Sequence, residues 1–330
     1  MNCSDRFDRK ITYLRVSVTD RCNLRCFYCT PVRNYTPLPH DEILSYEEIL
    51  SVIRAGADLG IRKVRVTGGE PLVRKGVADL ISGITNLTAI EDLGLTTNGV
   101  LLGSLAPALY EAGLRRVNIS LDTLRPDTFH RITGRDLHRH VMAGIDAALA
   151  TGFNPVKLNV VPVRGLNDTE LEDLARLTLD RPLVVRFIEF MPTGGVAGWT
   201  PDRFIPWEEM RDRVVKNIGP LSPVANPTDL DGPAMRFRFP EAPGEIGFIT
   251  SVTRHFCDQC NRMRLTSDGK LRPCLFSDVE VDARQALRPA SDPGAVRAAF
   301  AEAIRAKPRG QCGESAGHRR LRRGMSGIGG

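Results

Sequence analysis

The sequence predicts an α/β fold in which six parallel strands alternate with helices and curl into an incomplete barrel, followed by a less regular C-terminal lobe. Two observations lead to this prediction. Six short runs of branched apolar residues, each followed by a helical pattern, recur along residues 1–191. Residues 192–243 lose this alternation and are rich in proline and glycine. Serial strand–helix units form parallel sheets with right-handed crossovers, which curl in one direction.

Each element has its own sequence signal. Ser45 and Glu48 form a capping box that begins the first helix, and Gly60 ends it. Further helices are expected over residues 77–87, 105–112, 139–150 and 169–179, with one later helix over 207–218. The strands are expected to begin near Tyr13, Lys63, Leu93, Arg116, Val156 and Val184.

The number of strand–helix units limits the barrel. A closed barrel of this kind needs eight units and typically about 250 residues, whereas the alternation here fades after Met191. We therefore expect an incomplete, TIM-like (β/α)6 barrel over residues 1–191. An irregular lobe over 192–304 is expected to lie across the gap of the barrel, and a basic flexible tail is expected over 305–330.

Charge and hydropathy exclude several classes of protein. The chain has 330 residues and a formal net charge of +6. Seven Lys or Arg and one Glu lie from Arg305 onward, so the tail carries the whole excess and the body is neutral. We therefore expect no nucleic-acid partner. Because no apolar run reaches the ~18 residues of a membrane span and the amino terminus lacks a secretory signal, we expect no membrane partner and a cytoplasmic location.

Six of the eight cysteines fall into two triplets. The first triplet is C-x3-C-x2-C and follows the first strand, at the rim of the barrel where active sites form. The second triplet is C-x2-C-x13-C and lies in the late lobe. Cys3 and Cys312 lie near the termini and are interpreted as incidental. The triplets consist of Cys22, Cys26 and Cys29, and of Cys257, Cys260 and Cys274.

Three thiolates suggest an open metal centre. Structural zinc almost always takes four ligands, and neither triplet has a histidine at a familiar zinc spacing. A [4Fe-4S] cluster held by three cysteines instead leaves one iron free to bind a small molecule. The spacing favours a cluster over zinc, more strongly for the first triplet than for the second, where zinc stays an alternative.

The two triplets belong to a larger pattern. Tyr28 directly precedes the last cysteine of the first triplet, and the sequence Thr67-Gly-Gly-Glu-Pro71 follows at the next predicted strand end. The stretch Cys257-Asp-Gln-Cys-Asn-Arg-Met-Arg264 and the end Ile328-Gly-Gly330 complete it. With these motifs the chain resembles the GTP 3',8-cyclase family of the radical S-adenosylmethionine (SAM) superfamily. The likeness runs from about Arg9 to Leu275 and resumes at the last residues.

This resemblance implies an enzyme with two [4Fe-4S] clusters. The first would bind SAM through its open iron and pass one electron to the sulfonium, releasing a 5'-deoxyadenosyl radical. That radical would abstract hydrogen from the ribose 3' carbon of GTP, and attack on guanine carbon 8 would give (8S)-3',8-cyclo-7,8-dihydroguanosine 5'-triphosphate. The second cluster would hold the purine. The reaction belongs to molybdenum cofactor biosynthesis.

The resemblance also implies binding residues, none of them an acid or base catalyst. Those for SAM are Tyr28, Gly69, Ser120 and Met191, and those for GTP are Arg15, Arg65, Thr96, Lys157, Arg262, Met263 and Arg264. The many cations suit a triphosphate, and no G-x4-G-K-[ST] loop is present. Structural alternatives stay open. Arg15 and Arg65 could form ion pairs with Glu70 or Glu189, and Met191 could only fill the core. Lys157 could be solvated, and Thr96 could belong to a plain turn at the end of a strand.

Further expectations concern the tail and the partners. The family implies that Gly329 and Gly330 enter the active site, although the basic stretch 310–323 lacks apolar residues that would anchor a docked tail. It also implies a homodimer, an external electron donor and a downstream cyclic pyranopterin monophosphate synthase. Two other functions remain as alternatives: a peptide-modifying radical enzyme with an auxiliary cluster, and a zinc-binding nucleic-acid module.

Overall fold

The predicted strands form the centre of one sheet. A computed structural model describes residues 3–29, 36–192, 198–225, 232–310 and 323–329. The six strands pair in sequence order and in parallel, so the predicted α/β barrel core is confirmed. They are β1 (Tyr13–Ser17), β2 (Lys63–Thr67), β3 (Asp92–Thr97), β4 (Val117–Ser120), β5 (Val156–Val160) and β6 (Leu183–Ile188).

The helices cover the outside of these strands. The predicted capping box is present at the first helix, where Ser45 and Glu48 each accept a hydrogen bond from the other's backbone N–H. Within the described residues, no helix is both long and apolar enough to cross a membrane. The helices are α1 (Tyr46–Asp58), α2 (Val77–Thr85), α3 (Leu102–Glu111), α4 (Pro126–Thr133), α5 (His138–Thr151), α6 (Leu171–Asp180), α7 (Trp207–Asn217), α8 (Pro293–Arg305) and α9 (Met325–Ile328).

The sequence analysis missed three helices. The helix α4 begins with proline at its first position and ends at Gly134 in the left-handed region, which is a standard start and stop. The helix α8 begins at Pro293 after the cap Asp292, whose side chain accepts from two backbone N–H groups. The short α9 lies in the tail. The helix α3 also starts three residues earlier than expected, at Leu102.

The region after residue 191 is more regular than expected. It adds β7 (Ser222–Val224), β8 (Met235–Arg238), β9 (Glu245–Ile249), β10 (Arg262–Leu265), β11 (Lys270–Arg272) and β12 (Val281–Asp282). The strand β9 pairs in parallel with β6, and β10 pairs in parallel with β1. The sheet therefore has the order β12-β11-β10-β1-β2-β3-β4-β5-β6-β9-β8-β7. Its C-terminal strands extend both edges of the six-stranded core, and this order leaves the sheet open.

Strand alternation separates two kinds of side chain. Leu14 and Val16 of β1 are fully buried in the hydrophobic core with residues of the surrounding helices. Tyr13 and Arg15 alternate with these two residues and line a cavity inside the sheet, because successive side chains of a strand point to opposite faces. The register places Arg15 between Arg65 of β2 and Arg264 of β10. Cations of three neighbouring strands therefore meet inside the barrel.

Candidate active site

Both cysteine triplets line the same cavity. All six of their side chains border it, together with cationic residues from the inward face of the sheet. All six are free thiols rather than members of disulfides. The resemblance implies that both clusters act on one GTP molecule, and the structure brings the two triplets together at one cavity.

The glycines after β2 hold the first cysteine loop in place. The backbone N–H of Gly69 donates to the carbonyl of Thr19 at 2.7 Å, and that of Glu70 donates to Arg21 at 2.8 Å. A Cβ at position 69 would lie 2.5 Å from the carbonyl oxygens of both Asp20 and Arg21. Only glycine permits this approach, so the glycine motif shapes the loop that carries Cys22, Cys26 and Cys29.

A buried carboxylate joins this loop to the next strand end. Glu70 accepts hydrogen bonds from Thr97 Oγ1 at 2.7 Å and from the backbone N–H of Asn98 at 2.6 Å. The Asn98 amide in turn donates to Asn23 at 2.7 Å and approaches Cys22 Sγ at 3.8 Å. Burial raises the pKa of Glu70 to about 7, against the lowering effect of these hydrogen bonds. Glu70 therefore orders the surroundings of Cys22.

The donor set of the first triplet fits an iron-sulfur cluster. Burial raises the pKa of the Cys22 and Cys26 thiols, so they ionise readily only when a metal compensates their charge. Within the described ranges, no group of three His, Cys, Asp or Glu side chains is gathered closely enough to hold a single metal ion. Three thiolates are the donor set that an open four-iron cluster takes, so Cys22, Cys26 and Cys29 on one loop fit such a cluster.

The second triplet lies among cations. Burial by itself would raise the pKa of Cys260, but the positive charges of Arg262 and Lys307 outweigh it and lower that pKa to about 7. The backbone carbonyl of Cys257 accepts a 2.7 Å hydrogen bond from the guanidinium of Arg9. Three thiols in a cationic setting are a suitable donor set for an anionic cluster as well.

All four residues expected to bind SAM line the cavity. Tyr28 donates a short hydrogen bond to Asp122 Oδ2, and Asp122 Oδ1 accepts from the backbone N–H of Val161 at 2.8 Å. Burial raises the pKa of Asp122 to about 6. The sequence analysis missed Asp122. Its position two residues after β4 could have indicated it, because active-site residues lie at the carboxyl ends of the strands of such a barrel. Met191 is half-buried and borders the cavity, so it does more than fill the core.

The cations expected to bind GTP also line the cavity, as does Thr96, and three more cations join them. The additional ones are Lys63, Arg116 and Arg186, which the sequence analysis missed. The Nη2 atom of Arg186 donates to Asn159 Oδ1 at 2.5 Å, while its Nε is buried without a partner in the described part of the chain. A buried guanidinium N–H without a partner is a binding position for an anionic oxygen.

The acidic residues considered as ion-pair partners have other roles. Glu70 binds Thr97 and Asn98, as described above, and Glu189 accepts from the backbone N–H groups of Val252 at 2.7 Å and Trp207 at 3.1 Å. The described contacts of Arg65 are instead with Tyr13 Oη at 3.3 Å and the Leu95 carbonyl at 3.4 Å. The alternative that Glu70 or Glu189 neutralises Arg65 is therefore wrong.

Crowded positive charge changes the acidity of several groups. Burial and the neighbouring charges of Arg186 and Arg116 together lower the pKa of Lys157 to about 7. Burial would raise the pKa of Tyr13, but Arg65, Arg15 and Lys63 outweigh it and lower that pKa to about 6. Neighbouring positive charges contribute to both shifts, so the cavity favours a polyanion.

Met263 lies on the opposite face of β10 from its neighbours. Its side chain is fully buried in the hydrophobic core, while Arg262 and Arg264 line the cavity. The physical reason is the two-residue period of a strand. Among residues 262–264, the side-chain contacts to a ligand therefore fall to the two arginines.

The end of the chain docks into the site. The carbonyl of Gly329 accepts hydrogen bonds from Arg264 Nη1 at 2.8 Å and from Arg15 Nη2 at 3.3 Å. Ile328 is buried, and Arg323 forms paired contacts with Asp268 at 2.9 and 2.8 Å. The tail therefore docks although the stretch 310–323 is basic and poor in apolar residues, because Arg323 pairs with both Asp268 and Glu280 and Ile328 supplies a buried apolar side chain. Gly330 and residues 311–322, with Cys312, lie outside the described residues.

Comparison with known proteins agrees with this geometry. The Radical SAM superfamily model matches residues 16–178, and the model named Molybdenum Cofactor Synthesis C matches residues 183–312. The GTP 3',8-cyclase of Pelotomaculum thermopropionicum is 49% identical over 304 residues, covering 92% of this chain and 93% of that protein. The GTP 3',8-cyclase of Alkaliphilus metalliredigens is 48% identical over 327 residues, covering 99% of each.

A solved structure shows the same fold. The chain superposes on Streptococcus suis SuiB with a TM-score of 0.57 at 15% identity, covering 90% of this chain and 67% of that one. At this identity the likeness concerns the fold alone.

Proposed function

The chain belongs to the GTP 3',8-cyclase family of the radical SAM superfamily, and from this premise we propose which residues carry each part of the reaction. It is a radical SAM enzyme that converts GTP to the 3',8-cyclised nucleotide in molybdenum cofactor biosynthesis. Its relatives support neither alternative function, the peptide-modifying enzyme or the zinc-binding nucleic-acid module. The observation that carries the assignment of residues is the single cavity shared by both triplets and the cations.

The first triplet and its surroundings form the radical source. Cys22, Cys26 and Cys29 would hold a [4Fe-4S] cluster, which together with bound SAM would supply one-electron cleavage of a carbon–sulfur bond. Tyr28, Gly69, Ser120 and Met191 contact SAM. Asp122 fixes the Tyr28 ring through its hydroxyl, and Glu70 fixes the strand end beside Cys22. These buried contacts preorganise the site.

The cations hold the triphosphate of GTP. Guanidinium groups can donate two parallel hydrogen bonds to phosphate oxygens, whereas an ammonium acts as a point charge. Arg15, Arg65, Lys157, Arg262 and Arg264 serve this role, with Thr96 beside them. The cavity adds Arg186 to this set, and its Nε, which has no partner among the described residues, is one donor that the triphosphate would satisfy. Lys63 and Arg116 also line the cavity, but both form ion pairs with Asp92.

The second triplet holds the purine. We assign a second [4Fe-4S] cluster to Cys257, Cys260 and Cys274, which would hold it, and the cluster would supply a binding position for the base. The cationic surroundings of Cys260 favour thiolate ligands there. A base held at this end and a triphosphate held by the cations would leave the ribose facing the radical source.

The wider assignments follow from the same chemistry. The domain boundaries at residues 191 and 304 are retained as a functional division, although strands from both sides share one sheet. Reduction of the first cluster requires an external electron donor, and the product passes to a cyclic pyranopterin monophosphate synthase. A homodimer is proposed from the family. Free thiol ligands suit the reducing cytoplasm, which is the proposed location.

The variant Cys274→Ala tests the second cluster. Two [4Fe-4S] clusters require about eight irons per chain, and the variant is expected to retain about four, to cleave SAM and to lose cyclisation of GTP. The matched control is Cys3→Ala, which removes a buried thiol that does not line the cavity. The assignment is refuted by a Cys274→Ala protein that cyclises GTP at the wild-type rate under anaerobic conditions.

A further inference from the structure

A buried lysine lies beside the second triplet. Lys307, just after α8, is only 2% exposed. Its ammonium Nζ lies 3.6 Å from Cys260 Sγ and donates to the backbone carbonyls of Arg262 and Pro273, each at 2.7 Å. An ammonium group has three donors, and these three contacts use all of them.

The charge of Lys307 lacks a carboxylate partner. Within the described ranges, no Asp or Glu forms an ion pair with it; the salt bridges found there involve other cations. A buried cation is costly unless a negative group compensates it. Of its three acceptors, two are neutral carbonyls and the third is a cysteine sulfur. Among the described residues, the compensating charge is therefore that of the Cys260 thiolate and of whatever that thiolate binds.

The position of these contacts links the separated parts of the triplet. One contact is to Cys260 itself, and another is to Pro273, the residue directly before Cys274. The thirteen residues between the two cysteines form the hairpin of β10 and β11. One ammonium group thus fixes both ends of the hairpin at the point where the cysteines must converge.

We propose that Lys307 is the counter-cation and positioning residue of the second cluster. This proposal rests on the proposed function, because it takes the second triplet to hold that cluster. A reduced cluster carries one more negative charge than an oxidised one, so a fixed cation 3.6 Å from a ligand sulfur stabilises the reduced form. Lys307 therefore raises the reduction potential of the second cluster and keeps Cys260 and Cys274 in place to bind it.

The test compares Lys307→Met, Lys307→Gln and Lys307→Arg in the full chain. Each is made in a parent in which the three cysteines of the first triplet are replaced by serine, so that iron and spectra report the second cluster alone. The readouts are iron and sulfide per chain and the reduction potential from a titration followed by electron paramagnetic resonance. The control is Lys270→Met, which removes a β11 cation that pairs with Asp282 and does not line the cavity.

Loss of the charge is expected to weaken reduction of the cluster at least tenfold, a shift of about 59 mV to more negative potential for one electron. Lys307→Gln and Lys307→Met should both show it, while Lys307→Arg and the control keep the parent value. Failure of Gln and Met to retain iron, with Arg retaining it, supports the same role.

Other results overturn the proposal. An unchanged potential in an iron-replete Gln or Met variant shows that the charge has no effect. Equal loss of iron from all three variants, Arg included, shows that only the shape of lysine matters. A parent that binds no iron at all contradicts the second cluster itself, so this failure of the proposed function is distinct from a failure at Lys307.

Discussion

Replacing Gly94 with alanine tests how the cavity holds Arg65. Gly94 lies on β3 directly opposite Arg65 in register, and a Cβ there would stand 2.6 Å from Arg65 Nη1 and 2.7 Å from its Cζ. Ordinary van der Waals contact begins near 3.4 Å. The guanidinium must therefore move, and because it is the flexible end of a side chain, the backbone need not.

The size of the effect follows from this displacement. A hydrogen bond to a charged group is worth about 1.5–3 kcal/mol, which corresponds to roughly a tenfold to 150-fold change in affinity. We expect Gly94→Ala to weaken GTP binding within that range while thermal stability and cleavage of SAM stay close to wild type. Anaerobic isothermal titration with GTP measures the first quantity, and release of 5'-deoxyadenosine measures the last.

The matched control is Gly103→Ala. Gly103 lies in α3, and an added Cβ there would meet nothing closer than 4.0 Å. Gly103 is the second residue of α3, where alanine is tolerated at least as well as glycine, so this variant should be equally or more stable and bind GTP normally. The reasoning about Arg65 is refuted if Gly94→Ala binds GTP as tightly as the control does.

Three further predictions concern other parts of the site. Gly69→Ala brings a Cβ to 2.5 Å from backbone carbonyl oxygens, so iron analysis should show loss of the first cluster, with about four irons left per chain. A variant that keeps about eight irons per chain would contradict this prediction. The pKa of Lys157 is about 7 in the free protein, and binding of GTP should protonate this side chain, so calorimetry at pH 8 in different buffers should detect proton uptake. The affinity for GTP should fall as the pH rises above 7, and Lys157→Met should reduce the uptake. Proton release on binding would refute this prediction. Arg323→Gln should speed hydrogen exchange of residues 324–329 about tenfold if its ion pairs contribute ~1.4 kcal/mol, whereas Arg309→Gln, which removes a solvent-exposed pair, should not.

Local signals made the barrel core predictable from the sequence. The branched runs gave all six central strands, and Ser45 and Glu48 gave the first helix, because periodicity and capping depend on neighbouring residues. The C-terminal strands lacked such signals. Four of the five residues of β9 are buried, so it shows no alternation, and β11 and β12 have three and two residues.

The site residues that belong to sequence motifs could be predicted, whereas those that only the fold brings together could not. The first cysteine triplet, the pair Cys257 and Cys260, and the glycine motif each lie within a short stretch of sequence. Lys63, Arg116 and Arg186 instead enter the cavity because parallel strands place them on one inward face. The tail anchor is the extreme case: Arg323 meets Asp268 across 55 positions of the chain, and no local pattern links the two.

Transfer of a labelled hydrogen tests most directly whether the two triplets act on one nucleotide in one cavity. The protein, reconstituted anaerobically with iron and sulfide, is incubated with SAM and with GTP that carries deuterium at the ribose 3' carbon. Mass spectrometry should find the deuterium in 5'-deoxyadenosine, together with the 3',8-cyclised nucleotide. Unlabelled 5'-deoxyadenosine formed alongside unchanged GTP would show that the radical source and the nucleotide do not meet.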